Sequence, residues 1–281
     1  MSTSGTTLVI GATGTTGSRV VAGLTAAGRR VKAASRRATP APGVDAVFFN
    51  WYDPATHAAA LDGVDRAYLI PPLGDPDPAA VMVPFLERAR GAGVERVVLL
   101  SASAIPEGGP AVGMVHRALP GLFDQWAVLR PSWFMQNFTT AHLHALSIRD
   151  EGAILTAAGD GRVAFIDAGD IAAVGVHALT AEHAPNTDLL LTGPQALSYD
   201  DIAAIVTEVT GRPVVHRRLS YEQLCERLAT DMPEEFAALL AGLDRAVAEG
   251  AEDRVTDTVQ RLIGRPARTF RALLEREGLT A

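Results

Sequence analysis

The sequence predicts an α/β protein built on a doubly wound parallel sheet, with a smaller, helix-rich, mixed α/β C-terminal domain. Three observations lead there. Short apolar strand segments alternate with helix-length segments through the first half of the chain, a spacing that fits parallel strands joined by crossover helices. The first strand runs directly into a glycine-rich turn and then a helix. Finally, 48% hydrophobic and 20% charged residues over 281 positions supply a sizeable core, which excludes disorder and fits one large domain or two coupled ones.

In order, residues 7–10 form an apolar strand meeting Gly11, residues 15–28 a helix closed by Gly28, and residues 30–35 the next strand. Residues 46–49 make a third strand, followed by a helix over 55–62 for which Asp53-Pro54 is the start signal. Residues 66–70 and 95–101 are two further strands, separated by a helix over 78–92 that closes at Gly91 and Gly93. A short helix over 113–119 is stopped by Pro120, and a sixth strand over 126–130 by Pro131.

Beyond residue 150 the pattern changes. Short strands at 153–156, 163–166, 188–192 and 214–219 mix with helices at 168–181, 198–210 and 220–231, and residues 233–277 read as almost wholly helical. The expected division is a first domain over 1–150, with 167–182 packing back on it, and a second over 151–281. Phe236, Leu239, Leu240, Leu243 and Val247 recur at helical spacing, so the region 222–250 is either a packed helix or a mobile lid over an apolar ligand.

Several function classes are excluded at this level. No apolar run reaches the ~18 residues needed to span a bilayer, and the N-terminus lacks a basic start followed by an apolar stretch. A single cysteine, Cys225, allows neither an intrachain disulfide nor a cysteine-cluster metal site. The net charge of −7 argues against a general nucleic-acid binder, so a cytoplasmic protein with a small-molecule partner is expected, its oligomeric state left open. His142 and His144, two apart on an expected helix, do not share a face, and no metal site is expected.

The turn Gly11-Ala12-Thr13-Gly14-Thr15-Thr16-Gly17 sits between the first strand and the first helix. Glycines let the backbone turn sharply and approach a pyrophosphate, and the helix start offers free N–H groups and a favourable dipole. An NAD-preferring site places an acidic residue at the end of the second strand. Here that position carries Ser35-Arg36-Arg37, and no acidic residue occurs between Gly11 and Asp45. A hydroxyl and two guanidinium groups suit a 2′-phosphate, so the expected cofactor is NADPH.

These residues resemble the NmrA-like branch of the atypical short-chain dehydrogenases/reductases. The resemblance continues through Tyr68-Leu69-Ile70-Pro71-Pro72, Leu129-Arg130-Pro131-Ser132-Trp133-Phe134-Met135-Gln136-Asn137-Phe138, Phe165-Ile166-Asp167-Ala168-Gly169-Asp170-Ile171-Ala172 and Leu191-Thr192-Gly193-Pro194, ending with Ser198-Tyr199-Asp200-Asp201-Ile202. It covers residues 6 to about 220 and lies nearest the subgroup of ergot-alkaloid-type reductases and aromatic polyketide ketoreductases of antibiotic biosynthesis. It implies a Rossmann domain and cofactor contacts from Gly11, Thr13, Gly14, Thr15, Gly17, Ser35, Arg36 and Arg37. Asp53 would reach the adenine or serve as a helix N-cap. Pro71 and Leu73 would lie against ribose and nicotinamide, and Phe134 would support the nicotinamide or belong to the core.

Ordinary members of the wider family use a serine with a Tyr and, four residues on, a Lys; the tyrosine protonates the reduced carbonyl. This chain departs from that pattern. Its one lysine is Lys32, in the second strand, and its four tyrosines are Tyr52, Tyr68, Tyr199 and Tyr221, none of them within residues 104–150. Ser101 and Ser103 at the end of the fifth strand, and His116 on the following helix, are the remaining catalytic candidates. Without the Tyr-Lys acid, the expected substrate is a flat, conjugated, self-activating molecule: an aryl ketone or quinone first, an iminium second. A non-catalytic NADP(H)-binding redox sensor is the alternative from a different class.

Overall fold

The computed structural model describes residues 5–38 and 43–279. In chain order the elements are β1 (Thr6–Ile10), α1 (Thr15–Ala26), β2 (Arg30–Ser35), β3 (Val44–Phe48), α2 (His57–Leu61), β4 (Val64–Leu69), α3 (Ala79–Gly91), β5 (Arg96–Leu100), α4 (Gly113–Leu122) and β6 (Gln125–Pro131). They continue as α5 (Leu143–Glu151), β7 (Ala153–Thr156), β8 (Arg162–Val163), α6 (Ala168–Thr180), β9 (Thr187–Leu191), β10 (Leu197–Ser198), α7 (Tyr199–Thr210), β11 (Val215–Arg218), α8 (Tyr221–Leu228), α9 (Glu234–Ala248), α10 (Thr258–Ile263) and α11 (Phe270–Glu277).

The chain divides into two compact units. Unit 1 comprises residues 1–131, 168–191 and 261–264; unit 2 comprises 132–167, 192–260 and 265–281.

Unit 1 is a Rossmann-type sheet of seven strands in the order β3-β2-β1-β4-β5-β6-β9, every neighbouring pair parallel. Leu8, Leu69, Val97, Leu99 and Val128 of its strands pack with Met82, Phe85 and Leu86 of α3 and Val115 and Leu119 of α4. Two sequence expectations change here. The strand near 188–192 belongs to this sheet rather than to the C-terminal domain, because Leu189 and Leu191 pair in register with Leu129 and Pro131. Helix α4 also runs on through Pro120 to Leu122.

Two cations, the buried Arg96 and the half-buried Arg66, hold α6 onto this unit. Arg96, 2% exposed, donates to the carbonyls of Ala178, Leu179, Ala181 and Glu182 and to Oε1 of Gln125. Arg66 also donates to Leu179. Both guanidinium groups therefore sit where the dipole of α6 is negative.

Unit 2 holds residues 132–150, which the sequence division placed in the first domain. Its sheets are small: β7 pairs parallel with β11, and β8 pairs antiparallel with β10. Phe138, Ile154, Phe165, Tyr199, Ile202, Val206, Phe270 and Leu273 form its core. Capping boxes start α7 and α8, with Ser198 paired to Asp201 and Ser220 to Gln223. Asp167, fully buried, accepts from Gln136 at 2.9 Å, Arg268 at 2.9 Å and Arg276 at 3.1 Å. The stretch after Pro233 is broken into α9, α10 and α11 rather than continuously helical.

Candidate active site

In unit 1 every turn that follows β1 to β5 leaves the same edge of the sheet, because the strands are parallel. The strand order reverses between β1 and β4, the place where such sheets bind ligands.

The turn after β1 is shaped by its glycines. Gly11 has φ of 75° and donates its N–H to the Ala34 carbonyl at 3.0 Å. A side chain at Gly17 would bring Cβ to 2.1 Å from the Gly11 carbonyl oxygen, so only glycine lets α1 start this close to β1. Thr13, Gly14 and Thr15 are exposed. No side chain caps the start of α1, and no acidic residue lies in its first turn. Free N–H groups at the positive end of a helix suit a phosphate.

After β2, Ser35 Oγ accepts the N–H groups of Arg37 at 3.3 Å and Ala38 at 3.2 Å. Both its acceptor positions are engaged, so its hydroxyl proton is left to donate. Arg36 and Arg37 are exposed, and neither has an ion-pair partner among the described residues. One donor hydroxyl and two free guanidinium groups fit a phosphate monoester.

After β3, exposed Asp53 caps the short turn Pro54–Thr56 by accepting from Ala55 N at 3.1 Å. Trp51 Nε1 donates to the Ile70 carbonyl at 3.0 Å, tying this turn to the end of β4. Pro71 is half-buried there, and Leu73 is 92% exposed.

After β5, Ser101 N donates to Leu129 and Ser103 N to Pro131, each at 2.8 Å. Arg130 bonds the Ser103 carbonyl at 2.8 Å and Asp188 at 2.6 Å. Ser103 is buried. Ser101 Oγ is also shielded from solvent and has no hydrogen-bond partner among the described residues. Such an orphan hydroxyl is costly unless a ligand completes it.

His116 faces inward from α4, 2% exposed, with its ring 6.0 Å from that of Trp126. Burial lowers its pKa, only partly offset by Asp188 and Glu107, and its Nδ1 has no partner among the described residues. Phe134 lies in unit 2, where it bridges Ile166.

The lysine and tyrosines are committed elsewhere. Lys32 Nζ donates to the carbonyls of Ala59 at 3.0 Å and Asp62 at 2.7 Å, closing the end of α2. Tyr68 and Tyr199 are fully buried, and burial raises both phenols above their ordinary value. Tyr52 donates to Asp75 at 2.6 Å, and Tyr221 lies beneath the Arg245 guanidinium at 5.0 Å. His57 also has a structural place: buried among Phe49, Trp51 and Phe85, it contacts the Asn50 carbonyl and Arg88.

Unit 2 encloses a separate cavity of about 830 Å³, lined by Trp133, Leu155, Leu219, Leu224, Leu240 and Asp244 among others. Asp244 is 6% exposed, and one carboxylate oxygen accepts from Ala157 N at 2.8 Å. Burial pushes its pKa up to about 6. The sequence reading missed Asp244. Its signal was a carboxylate on the buried stripe formed by Ala237, Ala241 and Val247. His142, expected on a helix, instead precedes α5 and accepts from His144 N at 3.3 Å.

Residues 11–182 match the NAD(P)H-binding family. The chain belongs to that family. Within it the chain is an NmrA-like atypical short-chain dehydrogenase/reductase near the ergot-alkaloid reductases, and an NAD(P)H-dependent oxidoreductase. The uncharacterized oxidoreductase YesF of Bacillus subtilis is 43% identical over 264 residues, 94% of this chain and 92% of that one. Agroclavine dehydrogenase of Claviceps fusiformis is 40% identical over 232 residues, 79% of this chain and 80% of that one. The structure of the NADPH-dependent quinone oxidoreductase QOR2 from Escherichia coli, complexed with NADPH, superposes with a TM-score of 0.82. It is 24% identical and covers 96% of this chain and 99% of that one, a likeness of fold.

Proposed function

We propose that this family member is an NADPH-dependent reductase of a conjugated carbonyl, an aryl ketone or quinone, on a polycyclic aromatic molecule. The observation that carries the reading is the commitment of Lys32 to the end of α2, together with the placement of all four tyrosines. No Tyr-Lys pair is left to supply a proton, so the acceptor must stabilise the charge that hydride adds. A quinone delocalises it, and an aryl ketone beside a phenol carries its own donor. NADPH supplies the hydride when bound.

The chain's residues then bind, orient and shield. The Gly11–Gly17 turn holds the pyrophosphate, while Ser35, Arg36 and Arg37 hold the 2′-phosphate. Asp53, Pro71, Leu73 and Phe134 are proposed as further cofactor contacts. The shielded Ser101 hydroxyl is proposed as a donor to a ligand oxygen; the fixed Ser103 and the buried, neutral His116 are proposed in supporting roles. Holding donor and acceptor face to face supplies much of the rate. Unit 2 is proposed as the substrate-binding unit, with α8 and α9, which pack on each other through their own apolar cluster, as its lid.

A second reading, an iminium acceptor, draws on the same missing Tyr-Lys pair, because an iminium needs no proton when it accepts hydride. The test is NADPH oxidation against a panel of quinones, hydroxyaryl ketones and cyclic iminiums. Turnover of the carbonyl compounds supports the first reading, and turnover confined to iminiums replaces it with the second. Tight NADPH binding without any oxidation sinks both.

A further inference from the structure

The cavity of unit 2 has apolar walls of Trp133 and several leucines, an exposed charged rim that includes Asp150, Glu151, Arg217 and Arg227, and one buried carboxyl group, that of Asp244. Asp244 lies on the buried face of α9, and its Oδ2 accepts the Ala157 N–H at 2.8 Å. No partner bonds its Oδ1 among the described residues, and no cation pairs with it. The neighbouring guanidinium, Arg245, turns away to cover the Tyr221 ring at 5.0 Å.

The other charged groups around the cavity leave Asp244 without compensation. On β11 and α8, Arg217 and Arg227 both bond Glu151. Glu226 and Asp231 add negative charge at the exposed rim. From the α5 side come His142 and His144, both with pKa lowered by burial, the latter to about 3, so burial disfavours a compensating positive charge on either. On α7, Tyr199 is buried, with its phenol raised, and is neutral too. A carboxylate left ionised here would be buried without a counter-charge, which is costly.

We propose that Asp244 is the polar anchor of this cavity and, as the neutral carboxylic acid, donates a hydrogen bond from Oδ1 to a carbonyl oxygen of a flat aromatic ligand. The geometry divides the two oxygens between the two tasks. Oδ2, already accepting from Ala157, plays the carbonyl oxygen, and Oδ1 carries the proton. The leucines and Trp133 supply apolar area for the rings, and Asp244 is the buried carboxyl group set among them. With a raised pKa of about 6, about half of the free Asp244 is neutral at pH 6 and only about a tenth at pH 7, so the neutral form is favoured on the acid side. A bound aromatic ligand displaces water from the cavity and pushes the equilibrium further toward the acid.

This inference rests on the carbonyl reading above, and its test separates the two. Binding of 5-hydroxy-1,4-naphthoquinone to the full chain saturated with NADP⁺ is measured calorimetrically from pH 5 to 8, beside NADPH-dependent turnover of the same quinone. Wild type is expected to bind roughly tenfold more tightly at pH 5 than at pH 8, as follows from losing one hydrogen bond of about 1–1.5 kcal/mol. Asp244→Asn, oriented with its amide N–H toward the ligand, keeps a donor at every pH and flattens the profile at the tight end. Asp244→Leu flattens it at the weak end, with thermal unfolding confirming that both variants fold. Turnover with quinone binding indifferent to pH and to both substitutions overturns the role of Asp244 and leaves the carbonyl reading intact. Pronounced pH-dependent binding without turnover does the reverse. Tighter binding at pH 8, with Asp244→Asn losing it, would mean that an ionised Asp244 holds a cationic ligand instead, and overturns the proposal.

Discussion

Lys32 Nζ donates to the Asp62 carbonyl at 2.7 Å, and this bond places the only lysine of the chain at the end of α2. A cation there satisfies helix-terminal carbonyls and complements the dipole. Lys32→Met should lower the stability of the protein by about 1–3 kcal/mol, since two carbonyls lose a charged donor. At temperatures where the variant is folded, kcat should stay within about twofold of wild type if positioning supplies the rate. A large fall in kcat with unchanged melting temperature would place Lys32 in the chemistry.

Arg36 and Arg37 are the proposed determinants of cofactor choice. Removing a charge-assisted bond costs about 1.5–3 kcal/mol, so Arg36→Ala should raise the Kd for NADPH by roughly 10- to 100-fold. NADH, which lacks the 2′-phosphate, should bind nearly as before. Arg37→Ala should act in the same direction. Equal losses for both cofactors would show that the arginines serve the fold instead.

Gly17→Ala places a methyl group against the Gly11 carbonyl oxygen, 2.1 Å from where the new Cβ would lie. Because the obstacle is backbone, the turn itself has to move. NADPH binding should fall at least 100-fold while the circular dichroism spectrum stays close to wild type, an estimate based on misplaced phosphate donors. Retained affinity would rule out this turn as the phosphate site.

Ser101→Ala removes a hydroxyl that has no hydrogen-bond partner among the described residues. Since the fold gives up no recorded bond, stability should be unchanged or slightly improved. Turnover of the best carbonyl substrate should fall about tenfold, the worth of one hydrogen bond. Wild-type turnover would leave the hydroxyl without a ligand role.

Three buried histidines, His57, His116 and His144, and the half-buried His142 all have pKa values lowered by desolvation. Their unfolded forms titrate near 6.5, so below that pH the unfolded chain binds more protons and stability is lost as pH falls. For His144 the loss continues down to about pH 3, at about 1.4 kcal/mol per pH unit. Asp244 has the opposite sign: with a raised pKa of about 6, it takes stability away as pH rises from about 4 to 6. His144→Gln should therefore gain relative to wild type steadily as pH falls from 6.5 to 4 in denaturant titrations. A constant difference over that range would mean that His144 is already charged in the folded protein.

Much of the fold was legible because unit 1 is written in local signals: apolar strands, a glycine turn, helices ended by glycine. β9 was assigned to the wrong unit because its place depends on pairing with β6 across a long intervening stretch whose first part, Ser132 to Asp167, belongs to unit 2. Pro120 reads as a helix stop, yet the packing of Val115 and Leu119 on the sheet carries α4 past it. The turns proposed to hold the cofactor were placed from sequence at the ends of β1 and β2, and the structure has turns at both strand ends. Asp244 could not be found by family motif, because it lies in the part of the chain beyond residue 220 where the resemblance ends. Lys32 and Arg96 fall in strands by sequence, which says nothing of the carbonyls at helix ends that their side chains meet in the structure.

The chain's path between its units has a consequence for synthesis. Unit 1 needs residues 168–191 and 261–264 as well as 1–131. A ribosome that has released only the first 150 residues has delivered a sheet without β9 and without α6, leaving Arg66 and Arg96 with no carbonyls to meet. Unit 2 is completed later still, since Asp167 waits for Arg268 and Arg276. Neither unit can be excised as an autonomous fragment by a single cut, and shortening the C-terminus by a dozen residues removes partners from the middle of the chain.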